Sequence, residues 1–563
     1  MRKLTGFGIA LIAIIVLVRI LEAGSEPTRA KKGMVISSSG IGSEIGAQVL
    51  KDGGNAIDAA VATAFVLAVT HPGAGNIGGG GFLLYRLATG DAVAYDFREK
   101  APAGSSPTMF LKNGQYDFDA HHNSYLSVGV PGTTAGLYLA WKDHGKLSWK
   151  RLVEPAVKLA RDGFPVSIGL AGSLSGILDD MKPYPASMAQ FSKNGIPYEP
   201  GDILRQRDLG RTLQRIADQG PAGFYDGETA LLIEKEMKEH KGLITREDLK
   251  AYQPKKRTPL RGTYRGYEVI AMPPPSSGGV ALLEMLNILE GYDLTGNGHA
   301  SARSVHWIVE AMRRAFADRA QYLGDSDFNP QVPIERLISK PYAADLRRTI
   351  NENRASKSGP TQFSWPVESN ETTHISVVDG ERNAVALTYT LEYLYGSRIV
   401  VPGAGFLLNN EMGDFNAGPG LTTSDGLIGT PPNLAQPGKR MLSSMTPTIL
   451  EKNGSVFMVT GSPGGRTIIN TVLLTILNVV DFGMNAQDAV DAGRFHHQWL
   501  PDRITHERFA LSPDTLALLR TKGHELVQSG NQGAAEVIIR DPASGILEGG
   551  VDRRQPDAGA GVQ

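Results

Sequence analysis

The sequence predicts an α/β sandwich whose strands come from distant segments of the chain. Three observations predict it. Strand-like runs lie toward both ends of the 563 residues, near Phe82–Leu87 and again from His374 onward. A largely helical stretch, from about Ser148 to Ile350, separates them. A second helical run begins near Thr467, after the later strands. A chain this long would ordinarily divide into several domains, but one large layered domain accommodates this order.

The elements follow in sequence. "MRKLTGFGIALIAIIVLVRILEAGSEP" has a basic start, an apolar run from Phe7 to Val18 and small residues near Ala23. That is the shape of a signal peptide over residues 1–24, with an uncleaved N-terminal anchor as the alternative. The run is short for a membrane span, Arg19 follows it directly, and no clean A-x-A site is present. There is no cysteine, which excludes disulfides, Cys-ligated zinc and a Cys nucleophile. Export without cysteine fits a bacterial periplasm or secretion. A net charge of -1 gives no electrostatic case for a nucleic-acid partner.

"SEIGAQVLKDGGNAIDAAVATAFVLAV" reads as two helices, with Ser43 as N-cap of the first and Gly53-Gly54 as its stop. The many small residues imply close packing between layers. In "GNIGGGGFLLYRLATG" the glycines precede a strand, and no Gly-Lys-Ser/Thr follows. A phosphate loop must open a helix, so close backbone approach within a sheet is the better reading. "TREDL" from Thr245 marks a helix start, with Asp248 three residues after the cap. "GYEVIAMPPP" is a strand-like insert among helices.

"ENRASKSGPTQFSWPVESNE", residues 352–371, has two prolines, four serines and little periodicity, so it reads as a loop. "HISVVDGERNAVALTYT" then gives two strands joined by a turn around Gly380 to Asn383. "SSMTPTILEKNGSVFMVTGSPGGRTIINTVLLTILNVV" gives a strand, a turn at Asn453-Gly454, a second strand, a glycine turn and a helix from about Thr467.

Metal sites are poorly supported. His121-His122 and His496-His497 are adjacent pairs, and adjacent side chains point different ways. No H-E-x-x-H and no G-x-S-x-G elbow occurs. Thr372 is different, because it stands where the long loop becomes a strand. A threonine hydroxyl becomes a useful nucleophile when a base takes its proton, and a free α-amine on the same residue can be that base. Such an amine titrates at about 7.7–8.0. An internal threonine has no free amine, so the chain would first have to break between Glu371 and Thr372. The competing reading is a threonine pair at the start of a strand.

A set of motifs decides between them. "GGNAIDAAVA", "GGGGF", "DFREKAP", "TTHISVVD", "TYT", "GFLLNNEMGDF", "KRMLSSMTPTI", "TGSPGGRTIINTVL" and "GRFHHQWLP" occur in this order. Together they resemble the gamma-glutamyltranspeptidase (glutathione hydrolase) family from about Gly33 to the end. The resemblance implies a four-layer αββα sandwich of the N-terminal-nucleophile hydrolase type. It implies self-cleavage between Glu371 and Thr372 into a large subunit, 33–371, and a small subunit, 372–563, which stay associated in one αββα domain. It implies a γ-glutamyl hydrolase/transferase that needs no cofactor. The partners are γ-glutamyl compounds such as glutathione, and water or an amino acid or peptide as acceptor.

The same resemblance assigns roles. Thr372 is the nucleophile, and Thr390 hydrogen-bonds it. Gly464 and Gly465 supply the oxyanion hole. Arg98, Ser443 and Ser444 hold the substrate's α-carboxylate, and Glu411 and Asp414 its α-ammonium. Two positions depart from the pattern. Glu392 stands where members often carry Asn at the substrate head, and Asp425 stands near an aromatic gate position in the lid. Two other functions compete: a cephalosporin (glutaryl) acylase-like amidase, and an unprocessed, exported binding protein. An intact ammonium clamp argues against the first, since a glutaryl group has no α-amine, and a single full-length band on a denaturing gel would support the second.

Overall fold

A computed structural model describes residues 24–359, 372–421 and 429–563. Residues 1–23, Glu371 and Asp425, on which the leader, cleavage and gate readings fall, lie outside the described residues.

Two seven-stranded antiparallel sheets dominate. The first runs, in spatial order, Gly559–Val562, Met34–Ser37, Thr373–Val378, Ala384–Thr390, Gly80–Arg86, Ala92–Asp96 and Lys255–Arg257. The second runs Thr28–Ala30, Leu547–Val551, Glu536–Arg540, Ser455–Gly461, Thr448–Lys452, Tyr267–Ala271 and Leu260–Tyr264. Both sheets mix strands from the two ends of the chain, as the sequence predicts.

Strand alternation sorts the side chains into layers. Phe82, Leu84 and Ala386 of the first sheet meet Ile270, Val459 and Ile538 of the second in a buried inter-sheet core. Their neighbours Leu83, Val385 and Leu387 face the other way, onto Ala56–Thr70, Trp149–Asp162 and other helices. The outer face of the second sheet, with Val269, Leu450 and Met458, packs on Gly278–Leu289, Ala302–Tyr322 and Thr467–Val480. Three cores between four layers make an αββα sandwich. Each fully buried Leu, Ile, Val or Phe in these cores contributes roughly 1.5–3 kcal/mol.

Several local expectations hold. Thr245 and Asp248 form a reciprocal capping box on Arg246–Ala251. Asn453 (φ 52°) and Gly454 (φ 72°) make the tight turn between two paired strands. A Cβ on Gly79 would lie 2.0 Å from Thr390 O, and one on Gly81 2.4 Å from Thr388 O, so these glycines do permit close backbone approach. One expectation is corrected. The first helix spans Gly40–Lys51 and is capped by Ser39, not Ser43. Ser43 lies buried inside the helix and its hydroxyl donates to Gly559 O at 2.7 Å. Gly40 and Gly42 resemble loop residues, but a Cβ on Gly42 would meet Leu67 at 2.4 Å, so tight helix packing explains the small residue.

Candidate active site

Thr372 immediately precedes the Thr373–Val378 strand, which sits between two neighbours near the middle of its sheet. Thr373 pairs with Tyr389, so the antiparallel register brings Thr372 opposite Thr390. Thr372 Oγ1 donates to Thr390 Oγ1 at 3.3 Å. Thr390 Oγ1 also accepts from the Glu392 N–H at 3.0 Å.

The second sheet contributes the facing wall. After the Ser455–Gly461 strand, Gly464 (φ 131°) and Gly465 (φ 54°) turn the chain into the Thr467–Val480 helix. Both angles favour glycine. Their carbonyls accept from Thr467 and Ile468, while their own N–H groups find no acceptor among the described residues. Two such N–H groups at a helix start are placed to stabilise a developing negative charge.

Arg98 follows the Ala92–Asp96 strand and is fully buried. Its fork donates to Glu411 and to Asp414 in very short contacts, and lies 3.5 Å from Glu99. It also donates to Met441 O and Leu442 O, each at 3.3 Å. Glu411 and Asp414 are the ends of one short 3-10 turn, which places both carboxylates on the same cation. Burial drives the Glu411 carboxyl well above its ordinary value despite the Arg98 charge. Burial likewise pushes Glu99 up to about 7, with Arg98 opposing it.

A small recess is lined by Arg98, Thr372, Thr390, Glu392, Glu411, Asp414, Ser443, Ser444 and Gly465, with Met445 and Ile468. Nine sequence-predicted residues thus converge on one cavity. Gly464 adjoins it through Gly465. Glu392 is buried, with a positive φ of 77°. Its Oε1 lies 3.5 Å from His122 Nδ1 and would be 2.8 Å from a Cβ placed on Gly413. Burial, aided by the Arg398 charge, lowers the His122 pKa to about 4, so this neighbour is neutral near pH 7.

The histidine pairs serve the scaffold. His121 bonds Met412 O and the Tyr116 hydroxyl, and His496 bonds Asn470 and Gln498. Sequence reasoning missed three groups. Arg319, on the Ala302–Tyr322 helix, donates to Ser444 Oγ at 2.9 Å and to Ser277 Oγ at 2.7 Å. With its oxygen so engaged, the Ser444 hydroxyl is left to donate. Glu99 is the second, a third carboxylate on Arg98. The third is His306, Glu310 and His524, whose possible metal-ligand atoms lie within 4.8 Å of one another. Glu310 is already ion-paired with Arg313 and Arg314, and the two imidazoles hydrogen-bond each other at 2.8 Å. That donor set is satisfied without a cation. Arg319 has no local sequence signal, because Ser277 and Ser444 come from distant segments, while Glu99 and Glu310 are charges whose burial the sequence does not display.

A threonine leading a central strand, a glycine turn at a helix start lining the same recess, and face-packed sheets between helices define the N-terminal-nucleophile hydrolase class. Comparison with known proteins narrows that class. The Gamma-glutamyltranspeptidase family model matches residues 42–562. The chain is 47% identical to a glutathione hydrolase proenzyme of Escherichia coli (strain K12), over 94% of this chain and 92% of that one. A cephalosporin acylase from Bacillus halodurans superposes with a TM-score of 0.83 at 28% identity, covering 96% of this chain and 97% of its own. A Helicobacter pylori gamma-glutamyltranspeptidase chain gives 0.55 at 46% identity, covering 56% and 91%. The chain belongs to the gamma-glutamyltranspeptidase family.

Proposed function

We propose that this enzyme is a γ-glutamyl hydrolase/transferase that cuts itself between Glu371 and Thr372 and then uses Thr372 as its nucleophile. The observation that carries the reading is the shared recess. It joins the Thr372 hydroxyl to a fully buried guanidinium flanked by carboxylates, which is a receptor for an amino-acid zwitterion. Arg98 is ion-paired with Glu411 and Asp414. A γ-glutamyl head would place its α-carboxylate on Arg98, Ser443 and Ser444, and its α-ammonium on Glu411 and Asp414, keeping every charge paired.

Chemistry then follows from position. In the precursor the Thr372 oxygen attacks the Glu371 carbonyl carbon. The peptide C–N bond breaks, an ester forms, and the hydroxyl proton passes to the released amine. Water hydrolyses the ester and leaves Thr372 with a free amine and a free hydroxyl. In turnover that amine takes the hydroxyl proton as the oxygen attacks the substrate γ-carbonyl. The Gly464 and Gly465 N–H groups receive the oxyanion, where losing one donor typically costs roughly 2.7–4 kcal/mol. The leaving amine takes the proton, and water or an acceptor amine resolves the γ-glutamyl ester.

Fragments 33–371 and 372–563 would remain one sandwich, because each contributes strands to both sheets. Export is an expectation from the N-terminal sequence.

A glutaryl-amidase reading is favoured by the acylase likeness over nearly the whole chain. It leaves Glu411 and Asp414 without a substrate cation. Assays on γ-glutamyl and glutaryl anilides, with and without a dipeptide acceptor, separate the two. On a denaturing gel the wild type should give two fragments, the smaller beginning at Thr372. Thr372→Ala should stay whole and inactive, and Thr372→Ser should still be cut. A small fragment beginning elsewhere would remove the assignment.

A further inference from the structure

The segment leading into the proposed cleavage junction is irregular, yet it is tied down residue by residue. After the Lys340–Arg348 helix, residues 349–359 lie against the Ala302–Tyr322 helix and the turn at Lys522–Gly523. Asn351 O bonds His306 Nε2 at 2.8 Å. The Ser356 N–H donates to Glu310 Oε1 at 3.0 Å, and the Ser358 N–H donates to Asp502 Oδ2 at 3.0 Å. Arg313 bridges these anchors, pairing with Glu310, with Asp502 and with the Ser358 hydroxyl at 2.5 Å. Lys522 contributes twice: its O accepts from the Ala355 N–H at 2.8 Å and its Nζ donates to Glu352 O at 2.6 Å. Lys357 Nζ returns to Gly523 O at 3.1 Å.

The charges at the centre are locked on. Burial disfavours ionised Glu310, but Arg313, Ser356 and Arg314 outweigh it and hold the carboxyl down at about 2. Asp502 is held below the ordinary carboxylate range in the same way, with His497 and Arg313 outweighing burial. A buried ionic anchor of this kind is weak evidence for stability in general. Its placement is the informative feature. Asp502, Lys522 and Gly523 lie beyond Thr372 in sequence, whereas Glu310, Arg313 and residues 349–359 lie before it.

We infer that Glu310, Arg313 and Asp502 form a clamp that fixes the chain entering the Glu371–Thr372 junction, making them positioning residues for self-cleavage. The inference rests on the proposed cleavage there. Thirteen residues, 359–371, separate the last clamped residue from Thr372. Without the clamp the next anchor upstream is the Ala355 N–H on Lys522 O, and if the contacts from Asn351 to Ala355 loosen with it the chain is held only at the Lys340–Arg348 helix, so the tether nearly doubles in length. Loop-closure entropy makes a tether of that extra length roughly two- to threefold less effective at presenting its end. After cleavage the same contacts would pin the large fragment's tail to the small fragment.

The test uses the full chain. Precursor disappearance is timed on denaturing gels for wild type, Asp502→Ala and Arg313→Ala/Asp502→Ala, with Lys357→Ala/Lys522→Ala, which loses two exposed hydrogen bonds and leaves the three clamp residues in place, as the control. The clamp predicts cleavage slowed by up to about two- to threefold in both clamp variants, still before Thr372, with kcat/KM per processed site unchanged, and the control cleaved at the wild-type rate. Cleavage at the wild-type rate in both clamp variants overturns the clamp alone. An equal fall in cleavage and kcat/KM also overturns it, since that is general distortion. A wild type that is not cut before Thr372 overturns the self-cleavage reading, and the clamp's role with it.

Discussion

Thr372 Oγ1 and Thr390 Oγ1 lie 3.3 Å apart at the ends of adjacent antiparallel strands, and the Glu392 N–H fixes the Thr390 oxygen from its other side. The nucleophile's orientation therefore depends on a neighbour that is itself held by backbone. Thr390→Val keeps shape and strand preference but removes the hydroxyl. It also leaves the buried Glu392 N–H without this acceptor. Since one such hydrogen bond is worth about 0.5–1.5 kcal/mol net, acylation in single turnover should fall by roughly two- to twelvefold. Thr390→Ser should recover most of the rate. Wild-type acylation in the valine variant would mean that Thr372 is oriented by other contacts.

Arg98→Lys tests the substrate clamp. Lysine keeps the charge and loses the planar fork that reaches Glu411, Asp414, Met441 O and Leu442 O together. Losing one charge-assisted bond of about 1.5–3 kcal/mol should lower kcat/KM for γ-glutamyl anilides by roughly 10- to 150-fold. Self-cleavage should proceed, because the scissile peptide carries no zwitterion. A lysine variant with wild-type kinetics would exclude Arg98 as the carboxylate ligand.

Local chemistry was legible in the sequence where the signal is local. The Thr245–Asp248 capping box, the Asn453-Gly454 hairpin and the paired strands around Gly380 depend on residues a few positions apart. The cap of the first helix was placed at Ser43 rather than Ser39, and what makes Gly40 and Gly42 helical, close packing against Gly559 and Leu67, lies far along the chain. The pairing of Gly559–Val562 with Met34–Ser37 has no local trace at all. The site residues were recognisable through motif order. Arg319 and Glu99 were not, since a buried charge looks like any other charge until its partners are known.

The three carboxylates on Arg98 give the site a pH dependence. Glu99 and Glu411 are both raised by burial, Glu99 to about 7. Glu99 Oε1 and Glu411 Oε2 are buried without another protein donor, so a proton held between them satisfies both. The folded chain thus keeps protons that the unfolded chain releases near the ordinary glutamate value of about 4.3. The cluster's stabilisation is complete below that value and is lost as pH rises through about 7. Thermal midpoints of the substrate-free enzyme should decline over that interval, and Glu99→Gln, which cannot ionise, should flatten the decline. An unchanged slope in the glutamine variant would place the titrating group elsewhere.

Glu392 is the departure with the widest consequence for substrate preference. Its carboxylate lines the recess over Gly413, between Glu411 and Asp414. The nearby His122 is lowered to about 4 by burial and by Arg398, so above pH 5 it brings no positive charge to Glu392. A γ-glutamyl head would then meet one more carboxylate than the clamp requires. That charge favours the α-ammonium and disfavours the adjoining α-carboxylate. Asparagine at the same position offers N–H donors at every pH and carries no charge. Glu392→Asn should therefore lower KM for γ-glutamyl substrates. A gain of roughly tenfold would correspond to about 1.4 kcal/mol, the scale of one interaction with a charged group. The measurement is KM for a γ-glutamyl anilide with wild type and Glu392→Asn at pH 7. An unchanged KM would show that the Glu392 carboxylate is turned toward His122 and away from the bound head.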